Sequence, residues 1–392
     1  MPTPQDATMI IDYLFSSSKG DIPLGAEDLA RPFLISPSKP HPFLRLGDYF
    51  EAVKEFVLKD DGNFLIHMLR EGAIGEGSLD TIRRIRIRSE KHGVLYHVAS
   101  VEIFVGEKPI KLAVSTAVSA EARSCLTNEY DILKSLQRSL SPSYLPTVYE
   151  KGEVICPGGH QPYETLTLIL SEWLEDCHEW HFSMDAADNR QKVCIWDLER
   201  GHRYASEEEA FEIFRQASRI LTLYYDPHTF KEIHPWHHAA GDFVVKTGED
   251  GIHVKLTTAR GYRSIMDSLS KDSVRPMIAR VYFFLNMTVR MRLDRLNGVG
   301  DTFWVGDFSV QATTDGFFDG LRILADKGMI PSGEIRELLS LLQSLNAEEF
   351  ESLFKLLLAF YLEERPAELH VIHAHLKGHI RSLCQTFQRF QL

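Results

Sequence analysis

The sequence is short of the features that decide a protein's class directly. Its five cysteines, Cys125, Cys156, Cys177, Cys194 and Cys384, are odd in number and never stand in CxxC spacing. Neither a disulfide framework nor a zinc knuckle is therefore expected, and a reducing cytoplasm fits best. No run of about 18 apolar residues occurs, and the first twenty residues have neither a basic n-region nor an apolar h-region. A membrane span and a secretory signal are thus both unexpected. Basic charge is also scarce. The formal net charge is -12 at pH 7, with local relief only at Arg83–Lys91, which argues against a general nucleic-acid or anionic-membrane binder, since both need a surface that displaces cations. Internal repeats and low-complexity tracts are missing as well.

What is present suffices for a substantial core. A chain of 392 residues, 44% of them hydrophobic, has room for one large domain or two to three small ones. Residues 1–80 read as a helical extension: a Pro-rich connector, Pro32–Pro42, precedes Leu46, Tyr49, Phe50, Val53, Phe56 and Val57 at helical spacing, and Asn63 caps a short helix to Leu69. From Ile82 to Val118 the pattern turns to three antiparallel strands. A helix follows over Ala120–Leu140, stopped by Ser141-Pro142, and two more strands are expected at Thr147–Val154 and Thr165–Leu170. Ser206-Glu207-Glu208-Glu209 is a capping box that opens a helix with Phe211, Phe214, Ala217, Leu221 and Tyr224 on its apolar face. Beyond Tyr262 the chain reads as amphipathic helices to its end. Strands first and helices afterwards define an α+β plan.

The most chemically dense stretch is His234–Tyr262, HPWHHAAGDFVVKTGEDGIHVKLTTARGY. It reads as a loop followed by a β-hairpin, closed by the Asp-Gly turn at Gly248–Gly251. His234, His237, His238 and Asp242, with His253 on the facing strand, crowd potential ligands and proton carriers together. Such a set suits Zn, Fe or Ni better than Mg. A His in a tight loop, however, often only bonds backbone carbonyls. Trp180-His181 and Trp196-Asp197, around an insertion at Asp185–Gln191, read as cleft lining or a local core. Arg290, Arg292, Asp294 and Arg295 read as a solvated or ion-paired helix face.

Loop and hairpin resemble the catalytic loop and metal-binding strand pair of the protein-kinase-like superfamily, nearest to the aminoglycoside/choline-kinase-type phosphotransferases. The resemblance covers roughly residues 82–390. It implies a bilobal fold with an antiparallel-sheet small lobe (81–175) and a helical large lobe (176–392) carrying the catalytic-loop equivalent at 234–262, preceded by the extension at 1–80. It also implies ATP with Mg as cofactors and a small molecule or protein as partner. His237 falls where the catalytic Asp belongs, Asp242 where the metal-binding Asn belongs, and Thr258 where the Asp of Asp-Phe-Gly belongs. Ser115 takes the place of the strand lysine, leaving Lys111 or Lys91 to reach the phosphates and Glu129 as the helix glutamate. Glu172, Trp173 and Leu174 stand where the adenine would meet backbone. With these changes the resemblance implies a pseudokinase that binds a nucleotide or other ligand. The alternatives are an active atypical phosphotransferase with His237 as base and Asp242 on the metal, and a metalloprotein using His234, His238 and Asp242.

Overall fold

The computed structural model describes residues 9–17, 20–36, 39–62, 64–66, 81–93, 95–105, 108–158, 161–197, 200–238, 241–269, 275–298 and 300–392. The chain divides into two compact units, one of residues 1–134 and 146–175, the other of residues 135–145 and 176–392. It is a mixed α+β protein with mainly antiparallel sheets. All five cysteines are free, and no helix among the described residues is long and apolar enough to cross a membrane.

The first unit is built on strands β1 (Ile10–Phe15), β2 (Ile22–Pro23), β3 (Pro32–Ser36), β4 (Lys39–Arg45), β5 (Arg84–His92), β6 (His97–Val105), β7 (Lys108–Ala117), β8 (Val148–Gly158) and β9 (Gln161–Glu172). Seven of them form one sheet in the order β2-β1-β5-β6-β7-β9-β8. The expected run of three strands, a helix (Ala120–Leu136) and two strands is found. Alternation sends Ile85, Ile87, Val101, Ile103, Leu112, Val114, Leu168 and Leu170 to one face, where the helix Leu46–Val57 lays Tyr49, Phe50, Val53 and Phe56 on them. Gly152 makes the close approach possible, because a Cβ there would meet the Phe56 ring at 2.8 Å.

The N-terminal residues differ from the helical extension read from the sequence. Ile10–Phe15 is a strand paired in parallel with β5, and the Pro-rich segment is the β3–β4 hairpin. A two-stranded ribbon is all edge, so its prolines cost little ladder bonding. Only the helix Leu46–Val57 keeps the expected character. Asn63 and His67–Leu69 of the second expected helix lie outside the described residues.

The second unit carries a five-stranded sheet in the order β12-β11-β10-β14-β15, made of β10 (His178–Asp185), β11 (Arg190–Trp196), β12 (Arg203–Tyr204), β14 (Phe243–Gly248) and β15 (Gly251–Leu256). Short ribbons pair β13 (Glu232–Ile233) with β16 (Tyr262–Arg263), and β17 (Leu293–Arg295) with β18 (Thr302–Trp304). The expected hairpin is present, with Gly248 opposite Gly251. The segment read as an insertion, Asp185–Gln191, is the turn between β10 and β11 with the strand residues at its ends. Ser206 caps the helix Glu207–Leu223 by accepting from the Glu209 N–H. That helix packs closely on Phe308–Asp326, where Gly316 and Gly320 leave room for Arg215 backbone and the Thr222 side chain. The helices Pro276–Arg290, Ser332–Ser344, Ala347–Glu364 and Pro366–Arg389 complete the unit.

One polar contact in the first core is pH-sensitive. His92 and His97 face each other across β5 and β6 with ring centroids 3.9 Å apart, and the His97 ring also touches Phe33 and Tyr49. Burial and the neighbouring His92 push the pKa of His97 down to about 3. In the unfolded chain it titrates near ~6.5, so below that pH the unfolded state takes up the proton that the folded state refuses. Stability should therefore fall as pH drops from about 6.5 towards 3. Urea titrations of the wild type and of His97→Phe across this range should show a shallower pH dependence in the variant.

Candidate functional site

The loop His234–Gly241 is fastened at both ends before any functional group is placed. The His234 N–H donates to the Gly261 carbonyl at 3.0 Å, beside the β13–β16 ribbon. Gly261 is required at this point, since a Cβ would collide with the His234 carbonyl oxygen. From the helix Pro276–Arg290, Arg290 sends its guanidinium to the Trp236 carbonyl, lies over the Trp236 ring and pairs with Glu368 at 3.3 Å. Arg290 is only 1% exposed, so this is an interior anchor. Of the reading of Arg290, Arg292, Asp294 and Arg295 as a solvated or ion-paired helix face, the ion pairs are present, Arg290 with Glu368 and Arg292 with Asp307, but Arg290, Arg292 and Asp294 are buried and Leu293–Arg295 is a strand.

Asp242 sits where the loop meets β14, and its side chain is fully buried. Arg260 donates to both carboxylate oxygens, at 2.6 and 3.0 Å, and the His237 N–H donates to one of them at 2.7 Å. The backbone on either side is also bonded: the Thr257 N–H donates to the Asp242 carbonyl at 2.7 Å and its hydroxyl to the Gly241 carbonyl at 2.9 Å. A bidentate guanidinium on a buried carboxylate supplies charge and geometry together. In this arrangement Arg260 engages both oxygens of Asp242.

The histidines of the loop have separate environments. His238 is buried, stacked on Trp180 with centroids 5.0 Å apart, and its Nδ1 lies 3.5 Å from Asp294. Asp294 also accepts from the backbone N–H groups of Phe182 and Arg295, at 3.0 and 2.7 Å. His234 is buried against Phe360. Burial, aided by Arg290 and Arg263, holds its pKa well below the ordinary value. His237 is driven the same way by burial, His238 and Arg290. Such an imidazole stays neutral at pH 7 but is a weak proton acceptor, because a base with a depressed pKa has little driving force for taking a proton. His253 is exposed on β15 opposite Lys246. Among the described residues, no group of three or more His, Cys, Asp or Glu side chains is arranged to hold a metal ion.

Thr258 is buried next to this network. Gly241, with φ of 72°, lies against the Glu179 carboxylate, which is also 3.6 Å from His181. Trp180 is fully buried, so the Trp180-His181 pair is core and not an open cleft wall. Sequence reading missed Arg260, Glu179, Asp294 and Arg290 as parts of the site. Their only sequence signal is charge, which ordinarily marks a surface.

The candidates in the first unit are also engaged. Lys111 on β7 places its ammonium 4.3 Å from the Trp173 ring centroid and 3.8 Å from Glu102. The Glu172 carboxylate accepts from the Thr147 N–H at 3.1 Å, while its own N–H donates to the Thr147 carbonyl. Glu129 is buried on the helix Ala120–Leu136, Leu174 is half-buried, and Lys91 is exposed on β5. Ser115 lies in β7 between Val98 and Ile169.

If Arg260 neutralises Asp242, removing it strands a buried carboxylate. Arg260→Ala should lower stability by about 2–3 kcal/mol, whereas Asp242→Asn combined with Arg260→Ala should recover part of the loss. Chemical denaturation of the three proteins checks this double-mutant cycle. Compared with family models and with curated proteins, the sequence matches none.

Proposed function

We propose that this chain is a kinase-fold protein with a degenerate phosphotransfer centre, one that binds a nucleotide or other ligand as a pseudokinase. The observation that carries the reading is the Asp242–Arg260 pair. The carboxylate that the resemblance puts at the position of the metal-binding Asn is fully buried and held bidentately by Arg260. Phosphoryl transfer depends almost wholly on positioning and on cations that offset developing charge. A cation competing for Asp242 would first have to break a bidentate pair whose carboxylate is out of water.

Three further features support it. Three strands, a helix and two strands precede the second unit, in the order that the resemblance implies for a small lobe. The loop leads directly into a hairpin, with Thr258 where a carboxylate would complete a metal site. The imidazole at the base position, His237, has a pKa pushed well below the ordinary value, so it lacks the proton affinity of a working base. Lys111, committed to Glu102 and Trp173, adds to the loss of the phosphate-holding group.

Thermal denaturation with ATP, with and without Mg²⁺, tests the reading. A ligand at a hundredfold excess over its Kd adds ~2.7 kcal/mol of apparent stability, a readily measured shift. The expected result is that any shift with ATP is the same without Mg²⁺, and that no phosphate is released or transferred. Mg²⁺-dependent stabilisation accompanied by turnover would overturn it.

A further inference from the structure

The β5–β6 hairpin of the first unit breaks its own alternation at one point. Ile85, Ile87 and Ser89 are buried opposite Ile103, Val101 and Ala99, so a period of two would turn His92 away from that side. Between Ser89 and Lys91 the register slips: Ser89 lies opposite Ala99 and Lys91 opposite Val98, with Glu90 as the extra residue. This bulge brings His92 round to the side of His97, its direct cross-strand partner. Re-aiming one side chain is a recurrent use of a bulge.

The two imidazoles are then left bare. Their centroids are 3.9 Å apart and their planes tilted by 48°, so the rings lie partly over one another and neither aims an N–H at the other's lone pair. The rings of Phe33 and Tyr49 close in on His97, and Thr116 stands opposite it on β7. All four ring nitrogens of the pair are shut off from solvent without a formed hydrogen bond among the described residues. Buried polar atoms are nearly always partnered, and an exception calls for an ion or water. The Leu34 backbone faces His97, and a backbone carbonyl is the kind of group that takes the N–H of a ligating imidazole and leaves its other nitrogen bare.

We propose that His92 and His97 chelate a late transition-metal ion of the Zn²⁺ type, with water completing its coordination. Imidazole suits such ions, and two nitrogens bound to one tetrahedral Zn²⁺ at about 2.0–2.1 Å stand about 3.3 Å apart. Rings as close as these present nitrogens at that spacing. His97 is the buried, fixed ligand; His92 is half-buried beside the turn at Gly93 and gives the ion its way in. No third His, Cys, Asp or Glu joins them among the described residues, so the ion keeps positions open to water or a small ligand. The proposal is independent of the reading of the loop 234–242.

Calorimetric titration of the full chain with Zn²⁺, after EDTA has been used and removed, tests it. One saturable site is expected, with a matching rise in the urea midpoint. His92→Ala should weaken the site about tenfold or more, since even a supporting group of a metal ligand is worth that much, and should abolish the rise. Urea titration in EDTA should show that this variant unfolds as cooperatively as the wild type, because His92 lies at the end of the hairpin. His375→Ala, which removes an exposed imidazole of the second unit, should leave the site unchanged. In the unaltered protein, the ring resonances of His92 and His97 should be the ones that Zn²⁺ shifts in NMR spectra. The proposal is overturned if Zn²⁺ finds no saturable site, if His92→Ala binds it as tightly as the wild type, or if the ring resonances that move belong to other histidines.

Discussion

A carboxylate taken out of water must find its counter-charge inside the protein, and at Asp242 that counter-charge is Arg260. Much of the surrounding geometry follows. Because the carboxylate also takes the His237 N–H, the loop is drawn back onto the start of β14. Because Thr257 bonds the backbone on both sides of the junction, the end of β15 is fixed to the same point. Arg290 plays the matching part from beneath, holding the Trp236 carbonyl. The loop is thus set by two guanidinium groups, the buried Arg290 at one end and the half-buried Arg260 at the other.

This construction explains why the histidines of the stretch do not converge on one point. Proximity in sequence put the imidazoles within a few residues of one another, but folding gave each its own surroundings: His234 against Phe360, His238 between Trp180 and Asp294, and His253 out on the hairpin. Ligand sets need convergence, and the convergent groups here are Arg260 and the loop backbone. The same holds in the first unit, where Lys111 is placed on an aromatic ring and a neighbouring carboxylate.

How much of this could be read from the sequence depended on the period and the sign of the pattern. The hairpin was legible because alternation and an Asp-Gly turn signal the same structure. The later helices were legible because their apolar stripes and breaks agree. The N-terminal strands were not, since Pro32, Pro40 and Pro42 mimic a connector although an edge ribbon tolerates them. Nor were β10 and β11, whose polar residues and central turn resemble an insertion. The candidate site was half legible. Asp242 and His237 could be found from their place in the loop, but Arg260, Arg290 and Asp294 could not, because charge reads as surface until burial is known.

The parallel ladder between β1 and β5 has a bearing on the order in which the first unit assembles. It joins Ile10 to Arg84, about seventy residues apart, whereas β5, β6 and β7 meet through short antiparallel connections. Closing the long loop costs more chain entropy than closing the short ones. The meander therefore closes at the lower entropic cost, and the edge it offers at β5 is the one along which β1 pairs.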